Sequence, residues 1–153
     1  MKQIKFPFGR KELELEVADE QLNGVLLSKA HKFKAEKSET EIVKEAMANP
    51  IDSQHLSELA RGKKEIVIIS SDHTRPVPSH ITMPILLEEI RKTAPEAEIT
   101  ILVATGFHRA STDEELRDKY GKEIVESVNI EMHDSRDEDQ MVNLGQLPSG
   151  GDM

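Results

Sequence analysis

The 153-residue sequence predicts an α/β fold, in which an N-terminal β-hairpin precedes a mostly parallel sheet with covering helices. Two observations predict it. Apolar, β-branched runs alternate with helical patterns over a repeat of roughly 30 residues, which is the size of a βαβ unit. Ahead of that repeat, "KQIKFPFGRKELELEV" alternates at period two on both sides of Gly9, as the two strands of a hairpin do.

The segment after the hairpin carries three further predicted elements. "NGVLLSK" (residues 23–29) is interpreted as another short strand. "SETEIVKEAMANP" starts with the capping-box pair Ser38 and Glu41 and stops at Pro50, which indicates a helix. "SQHLSELARG" is typical of a short helix that is closed by Gly62.

The α/β repeat follows. Three strands and two helices alternate along it. The strands are at 64–70, 97–106 and 127–134, and the helices lie within 79–95, with Pro95 beyond the end of the first, and at 111–121. The first strand, "KEIVIIS", is a continuous apolar run typical of a strand buried on both faces. In the first helix Ser79 is the expected N-cap, and Pro84 should kink the helix or mark a late start. The alternation predicts a parallel, Rossmann-like sheet.

The elements divide the chain into three parts. Residues 1–35 hold the hairpin and the short strand, residues 36–134 form the α/β core, and residues 135–153 form a polar tail. Because the tail contains glycines and has no periodicity, we expect a segment that is cut before its continuation, so that the chain is an N-terminal fragment.

Composition excludes several classes of function. The net charge is −9, the isoelectric point is near 5.2 and no basic stripe occurs, which argues against nucleic-acid binding. The sequence has no membrane-spanning run and no signal peptide. The absence of cysteine excludes disulfides, thiolate metal sites and a cysteine nucleophile. These features predict a cytoplasmic protein.

Polar side chains follow each predicted strand of the core. The segments are "DHTR" (72–75), "TGFHR" (105–109) and "HD" (133–134). Because ligands of open α/β sheets bind at the carboxyl ends of the strands, we expect three histidines, two acids and two arginines to converge on one edge.

The candidate residues differ in how strongly their residue types indicate a functional rather than a purely structural role. Asp72 can simply cap its loop through backbone amides. Arg75 lies on a loop stiffened by two prolines, which favours anion binding. Gly106 permits a positive φ or a close approach of the backbone to a ligand. His108 is either a proton donor and acceptor or a surface histidine.

The motifs "SDHTRPVPSH" and "ATGFHRAST" together resemble those of the nickel-pincer lactate racemase family. "FPFGRKELELEV" and "HDSRDEDQMVNLG" are also similar to the N-terminal stretches of that family. The resemblance implies racemisation of a small 2-hydroxy acid, with lactate as the leading candidate. It implies that His108 is one of two catalytic histidines and that Arg75 binds the substrate carboxylate. It also places Asp72 in the same site.

The cofactor implied by the resemblance is a nickel ion held by a pyridinium bis-thiocarboxylate mononucleotide, which accepts and returns a hydride at the substrate α-carbon. Thr74 and Gly106 are the candidate cofactor-binding residues, and no residue is assigned to the metal. In the family the covalent lysine, the nickel-ligating histidine and the second catalytic histidine lie further along the chain than this sequence extends. We therefore expect the fragment to be inactive without the C-terminal portion of the same protein.

Two alternatives belong to other functional classes. Asp72, His73, His108 and His133 could together hold Zn²⁺ or a similar ion in a metal-dependent hydrolase. The chain could also be a non-catalytic binding module.

Overall fold

The computed structural model describes residues 1–153. The chain forms two compact units, Met1–Glu36 and Lys37–Met153, and each is described by itself. The first unit contains β1 (Lys2–Phe8) and β2 (Lys11–Val17), which pair antiparallel. Gly9 has a φ of 59° in the connecting turn, a conformation that glycine adopts without steric cost.

The predicted strand at residues 23–29 is wrong. No strand occurs there, and the segment leads into a short 3₁₀ helix, Lys29–Lys32. The sheet of this unit consists of β1 and β2 only, so the apolar run has no neighbouring strand to satisfy its backbone hydrogen bonds. An apolar run becomes a strand only where such a partner exists.

The second unit confirms the α/β fold. Its elements in chain order are α1 (Glu39–Ala48), α2 (Leu56–Ala60), β3 (Glu65–Ser71), α3 (Ser79–Arg91), β4 (Glu98–Ala104), α4 (Asp113–Tyr120), α5 (Lys122–Ser127) and β5 (Asn129–Met132). The sheet order is β3-β4-β5, and both strand pairs are parallel. Helix α5 was not predicted from the sequence. Gly121, at a φ of 88°, separates it from α4.

Helix boundaries follow local capping chemistry. Ser38 and Glu41 form the predicted capping box of α1, and Thr112 and Glu115 form another at the start of α4. The prediction for α3 was partly wrong, because the N-cap is Pro78 rather than Ser79. Pro84 lies inside α3 and does not delay its start.

The core lies on one face of the sheet. Ile99, Ile101 and Val103 of β4 point into it, where α3 and α4 contribute Met83 and Tyr120 among others. Successive parallel strands joined by crossovers of one hand place their helices on the same side. The sheet therefore has one covered face.

The expectation that the first core strand is buried on both faces was wrong. Val67 is 59 % exposed and Ile69 is 73 % exposed, whereas Ile66 and Ile68 pack against the core. The run is apolar throughout, yet the helices of this unit cover only one of its faces.

None of the helices combines the length and the apolar character that crossing a bilayer requires.

Candidate active site

Asp72 is the central polar residue at the carboxyl edge of the sheet. It follows β3 directly, and only 2 % of its surface is exposed. Its Oδ1 accepts hydrogen bonds from the backbone N–H of Thr74 (3.1 Å) and from the Thr74 hydroxyl (2.7 Å). Its Oδ2 lies 2.5 Å from Nδ1 of His108. Asp72 therefore caps its own loop with one oxygen and binds the histidine of the next loop with the other.

This environment keeps the Asp72 carboxylate charged. Burial alone would raise its pKa, but the hydrogen bonds from Thr74 and His108 outweigh burial and lower the pKa to about 2. At neutral pH the side chain is an acceptor for His108, so Nδ1 of that imidazole is its N–H donor.

Replacement of Asp72 by asparagine is expected to reduce the fall in unfolding free energy that occurs as the pH is lowered into the acid range. The folded pKa of about 2 lies below the unfolded value of about 3.9. The carboxylate therefore stabilises the fold above about pH 4, and this contribution is lost as the pH falls towards 2. Urea unfolding of wild type and Asp72→Asn at pH 5 and pH 2.5 measures the difference. The difference in unfolding free energy between wild type and Asp72→Asn should be smaller at pH 2.5 than at pH 5.

Asp118→Asn is the matched control, because Asp118 is exposed and its carboxylate has no hydrogen-bond or ion-pair partner. Its unfolding free energy should run parallel to that of the wild type between the two pH values. An Asp72→Asn profile that also stays parallel to the wild type would contradict the stabilising role of the Asp72 carboxylate.

The loop after β4 holds His108 in place. The backbone N–H of His108 donates to Thr105 (3.0 Å), and Gly106 between them has a φ of 57°. The positive φ anticipated for Gly106 is therefore present. The Ser135 hydroxyl donates to the Gly106 carbonyl (2.6 Å), and the Thr105 hydroxyl donates to the carbonyl of His133.

The two ring nitrogens of His108 have different environments. Its side chain is 48 % exposed, and Nδ1 faces Asp72, with the Thr74 hydroxyl 3.4 Å away. Nε2 has no hydrogen-bond partner in the structure. The imidazole is therefore oriented through one nitrogen and available through the other.

Arg75 lies on the same loop as Asp72, three residues further along the chain. Its exposed guanidinium has no hydrogen-bond or ion-pair partner. It lines a cleft of about 280 Å³, together with His73, His80, Glu115 and Lys119. Asp72 and His108 do not line this cleft. The structure therefore brings Asp72, Thr74 and His108 into contact and places Arg75 beside them on an adjoining surface.

The other predicted residues have partners of their own. Arg109 binds Glu115 through two hydrogen bonds, of 2.7 and 2.8 Å. This contact, helped by the backbone N–H of Thr112, lowers the pKa of Glu115 to about 2. His73 Nδ1 lies 3.0 Å from the Ser111 hydroxyl, and its Nε2 lies 3.6 Å from Glu115. Arg109 is thus engaged within the protein, unlike Arg75.

The predicted metal site of the hydrolase alternative is wrong. No group of three or more histidine or acidic side chains is placed to hold a metal ion. Asp72 and His108 bind each other, whereas His73 contacts the hydroxyl of Ser111, just before α4. His133 takes part only through its backbone carbonyl, which accepts a hydrogen bond from Thr105. The four residues share an edge of the sheet without forming one ligand set.

Lys119 is a polar residue of this region that the sequence analysis missed. It is 9 % exposed and lines the Arg75 cleft. The available signal was helical spacing, since Lys119 lies one turn from Leu116 and beside Tyr120, the two buried apolar residues of α4. A lysine on the apolar face of a helix indicates a specific role for its charge.

The fold and the site define an α/β domain whose acid–base pair and free arginine lie at the carboxyl edge of a parallel sheet. The chain belongs to the lactate racemase N-terminal domain family, whose model matches residues 8–153. This match confirms the resemblance inferred from the two loop motifs.

Individual relatives agree with the family assignment. The chain is 50 % identical over 151 residues to a lactate racemase of Thermoanaerobacterium thermosaccharolyticum, covering 99 % of this chain and 35 % of that protein. It is 55 % identical over 149 residues to a lactate racemase of Lactiplantibacillus plantarum, covering 97 % of this chain and 35 % of that protein.

A solved structure shows the same fold. The lactate racemase apoprotein from T. thermosaccharolyticum superimposes with a TM-score of 0.83 at 48 % identity, over 99 % of this chain and 34 % of the other. The chain therefore spans about a third of the length of the curated relatives that it matches.

Proposed function

We propose that this chain is the N-terminal part of a lactate-racemase-like isomerase and contributes half of its active site. The observation that carries the proposal is the 2.5 Å contact between His108 Nδ1 and the buried carboxylate of Asp72. The family membership supports the reaction class. We also propose that the protein is cytoplasmic and that its parallel sheet is part of a Rossmann-like domain.

His108 exchanges the hydroxyl proton of a 2-hydroxy acid in this proposal. With Nδ1 donating to Asp72, the lone pair of Nε2 is the free acceptor. The charged carboxylate of Asp72 also stabilises the imidazolium that forms when the proton arrives. Thr74 holds the other carboxylate oxygen, so the pair keeps its orientation while the proton moves.

Arg75 binds the carboxylate of the substrate. Its guanidinium has no protein partner, and Pro76 and Pro78 stiffen the loop that carries it. A planar guanidinium can bind a carboxylate through two parallel hydrogen bonds, and a stiff loop reduces the entropy lost on binding. The substrate is thus a small anion with a hydroxyl beside its carboxylate, for which lactate is the leading candidate.

The nickel-pincer mononucleotide, when bound, supplies the hydride acceptor for the substrate α-carbon. The residues of this chain fit contact with such a group but not ligation of its metal. Apart from Gly106 itself and its two chain neighbours, no heavy atom lies within 4 Å of the position that a Cβ on Gly106 would occupy, so the backbone there is open to a ligand. Thr74 presents its hydroxyl beside His108. The resemblance to the family implies that the metal ligand and the covalent lysine come from the further length of the relatives, which this chain does not match.

A chimera tests the proposal directly. This chain replaces the matching 149 residues of the L. plantarum lactate racemase, which is 55 % identical over that length. We expect the cofactor-loaded chimera to convert D-lactate to L-lactate and the reverse, followed by an enantiomer-specific assay. A folded chimera that binds lactate without racemising it would contradict the proposal and favour a non-catalytic binding module.

A further inference from the structure

The cleft beside Arg75 contains two cations that lack a carboxylate partner. We call it the Lys119 cleft, defined by His73, Arg75, His80, Glu115, Asp118 and Lys119. Neither Arg75 nor Lys119 has an acidic side chain within ion-pair distance. Glu115 also lines the cleft, but its carboxylate is bound by Arg109.

Lys119 is held at an unusual position for a lysine. It is 9 % exposed, and its Nζ donates to the Ser71 hydroxyl (3.3 Å) and to the carbonyl of Arg75 (3.4 Å). Nζ also lies 5.9 Å from the centre of the Tyr120 ring. Burial lowers the pKa of Lys119, and the charge of Asp72 opposes this change. A buried ammonium without a counter-ion is unfavourable unless something else supplies the negative charge.

We propose that Lys119 is a second cationic ligand for a small oxyanion that binds with Arg75 in the Lys119 cleft. Two hydrogen bonds of Lys119 are long, and its third proton has no protein acceptor. Both Lys119 and Arg75 line the cleft, and Nζ of Lys119 also contacts the backbone carbonyl of Arg75. The ammonium of Lys119 and the planar guanidinium of Arg75 then bind one anion from two sides.

The charges of the cleft favour a singly charged anion. Asp118 is the remaining acid of the lining, is exposed and has no partner, so it offsets one of the two cations. The carboxylate of a 2-hydroxy acid matches this balance better than a phosphate dianion does. Assigning that carboxylate to the substrate rests on the proposed function, whereas oxyanion binding itself does not.

An NMR titration of this chain tests the inference without any turnover. L-lactate, inorganic phosphate and neutral lactamide are added separately at constant ionic strength, and backbone amide shifts are followed. We expect L-lactate to shift the amides of residues 115–120 and of the residues other than proline in 73–80, with phosphate weaker and lactamide inactive. Lys119→Met should weaken lactate binding at least about tenfold, because a charged hydrogen bond is lost. A cleft that prefers phosphate would overturn the assignment to the substrate carboxylate.

Lys122→Met is the matched control, since Lys122 carries the same charge on the neighbouring helix and is exposed. It should bind lactate as the wild type does. Circular dichroism checks that each variant folds, and Lys119→Gln replaces Lys119→Met if the latter does not. Unchanged lactate affinity in the Lys119 variant, equal shifts with lactamide, or no shifts with either anion would overturn the proposal. Loss of binding in Arg75→Met but not in the Lys119 variant would leave the proposed function standing and overturn this inference alone.

Discussion

Replacement of His108 by glutamine in the lactate racemase chimera is expected to lower kcat for racemisation by about 10²–10⁴-fold, the range for losing a general acid–base group. Glutamine retains a polar side chain that can still contact Asp72, but it has no nitrogen that can take and return a proton near neutral pH. KM for lactate should change little, since Arg75 is the residue proposed to bind the carboxylate. Initial rates in both directions, measured over a range of lactate concentrations, separate kcat from KM.

His31→Gln is the control for this variant. His31 is exposed in the first unit and its side chain makes no hydrogen bond or ion pair, so the same chemical change should leave turnover unaltered. If His108→Gln racemises lactate at a near-normal rate while correctly folded, the assignment of His108 to proton transfer fails. A raised KM with an unchanged kcat would instead assign His108 to substrate binding.

Truncation of Ile101 to alanine is expected to lower the unfolding free energy by about 2–5 kcal/mol. Ile101 is fully buried in the middle of β4, in the cluster with Met83 and Tyr120. Removing its side chain loses buried apolar surface and leaves a cavity that the surrounding strands and helices can only partly close. Urea unfolding at neutral pH, followed by circular dichroism, measures the loss.

Ile69→Ala makes the same chemical change on the neighbouring strand. Ile69 is 73 % exposed on the open face of the sheet, so its truncation should cost less than about 1 kcal/mol. The comparison tests whether one face of the sheet is uncovered in solution. Equal losses for Ile69→Ala and Ile101→Ala would show that this face is buried.

The pairing of Asp72 with His108 was predictable in outline from the sequence. Both residues follow strands of a βαβ repeat, and the register Ser71 to Ala104 places the ends of β3 and β4 side by side. Residues that begin the two loops therefore meet. The engagement of Arg109 was not predictable, because it depends on where Glu115 lies once Thr112 has capped α4.

The sequence alone determined the local features of this protein. Gly9 in the hairpin turn, the capping box at Ser38 and the apolar runs of β3 and β4 all act over a few residues, so the pattern of residues suffices to predict them. The two loop motifs also determined the family, since their residue types and spacing can be compared directly.

The tertiary structure decided which apolar residues are buried and which charges remain free. Ile68 and Ile69 are the same residue type at adjacent positions of one apolar run, yet only Ile68 packs against the core. Lys119 meets Ser71 across 48 residues of chain, and Arg75 keeps its guanidinium free whereas Arg109 does not. The reason is physical: burial and ion pairing depend on the surfaces that distant segments bring together, and no short stretch of sequence contains that information.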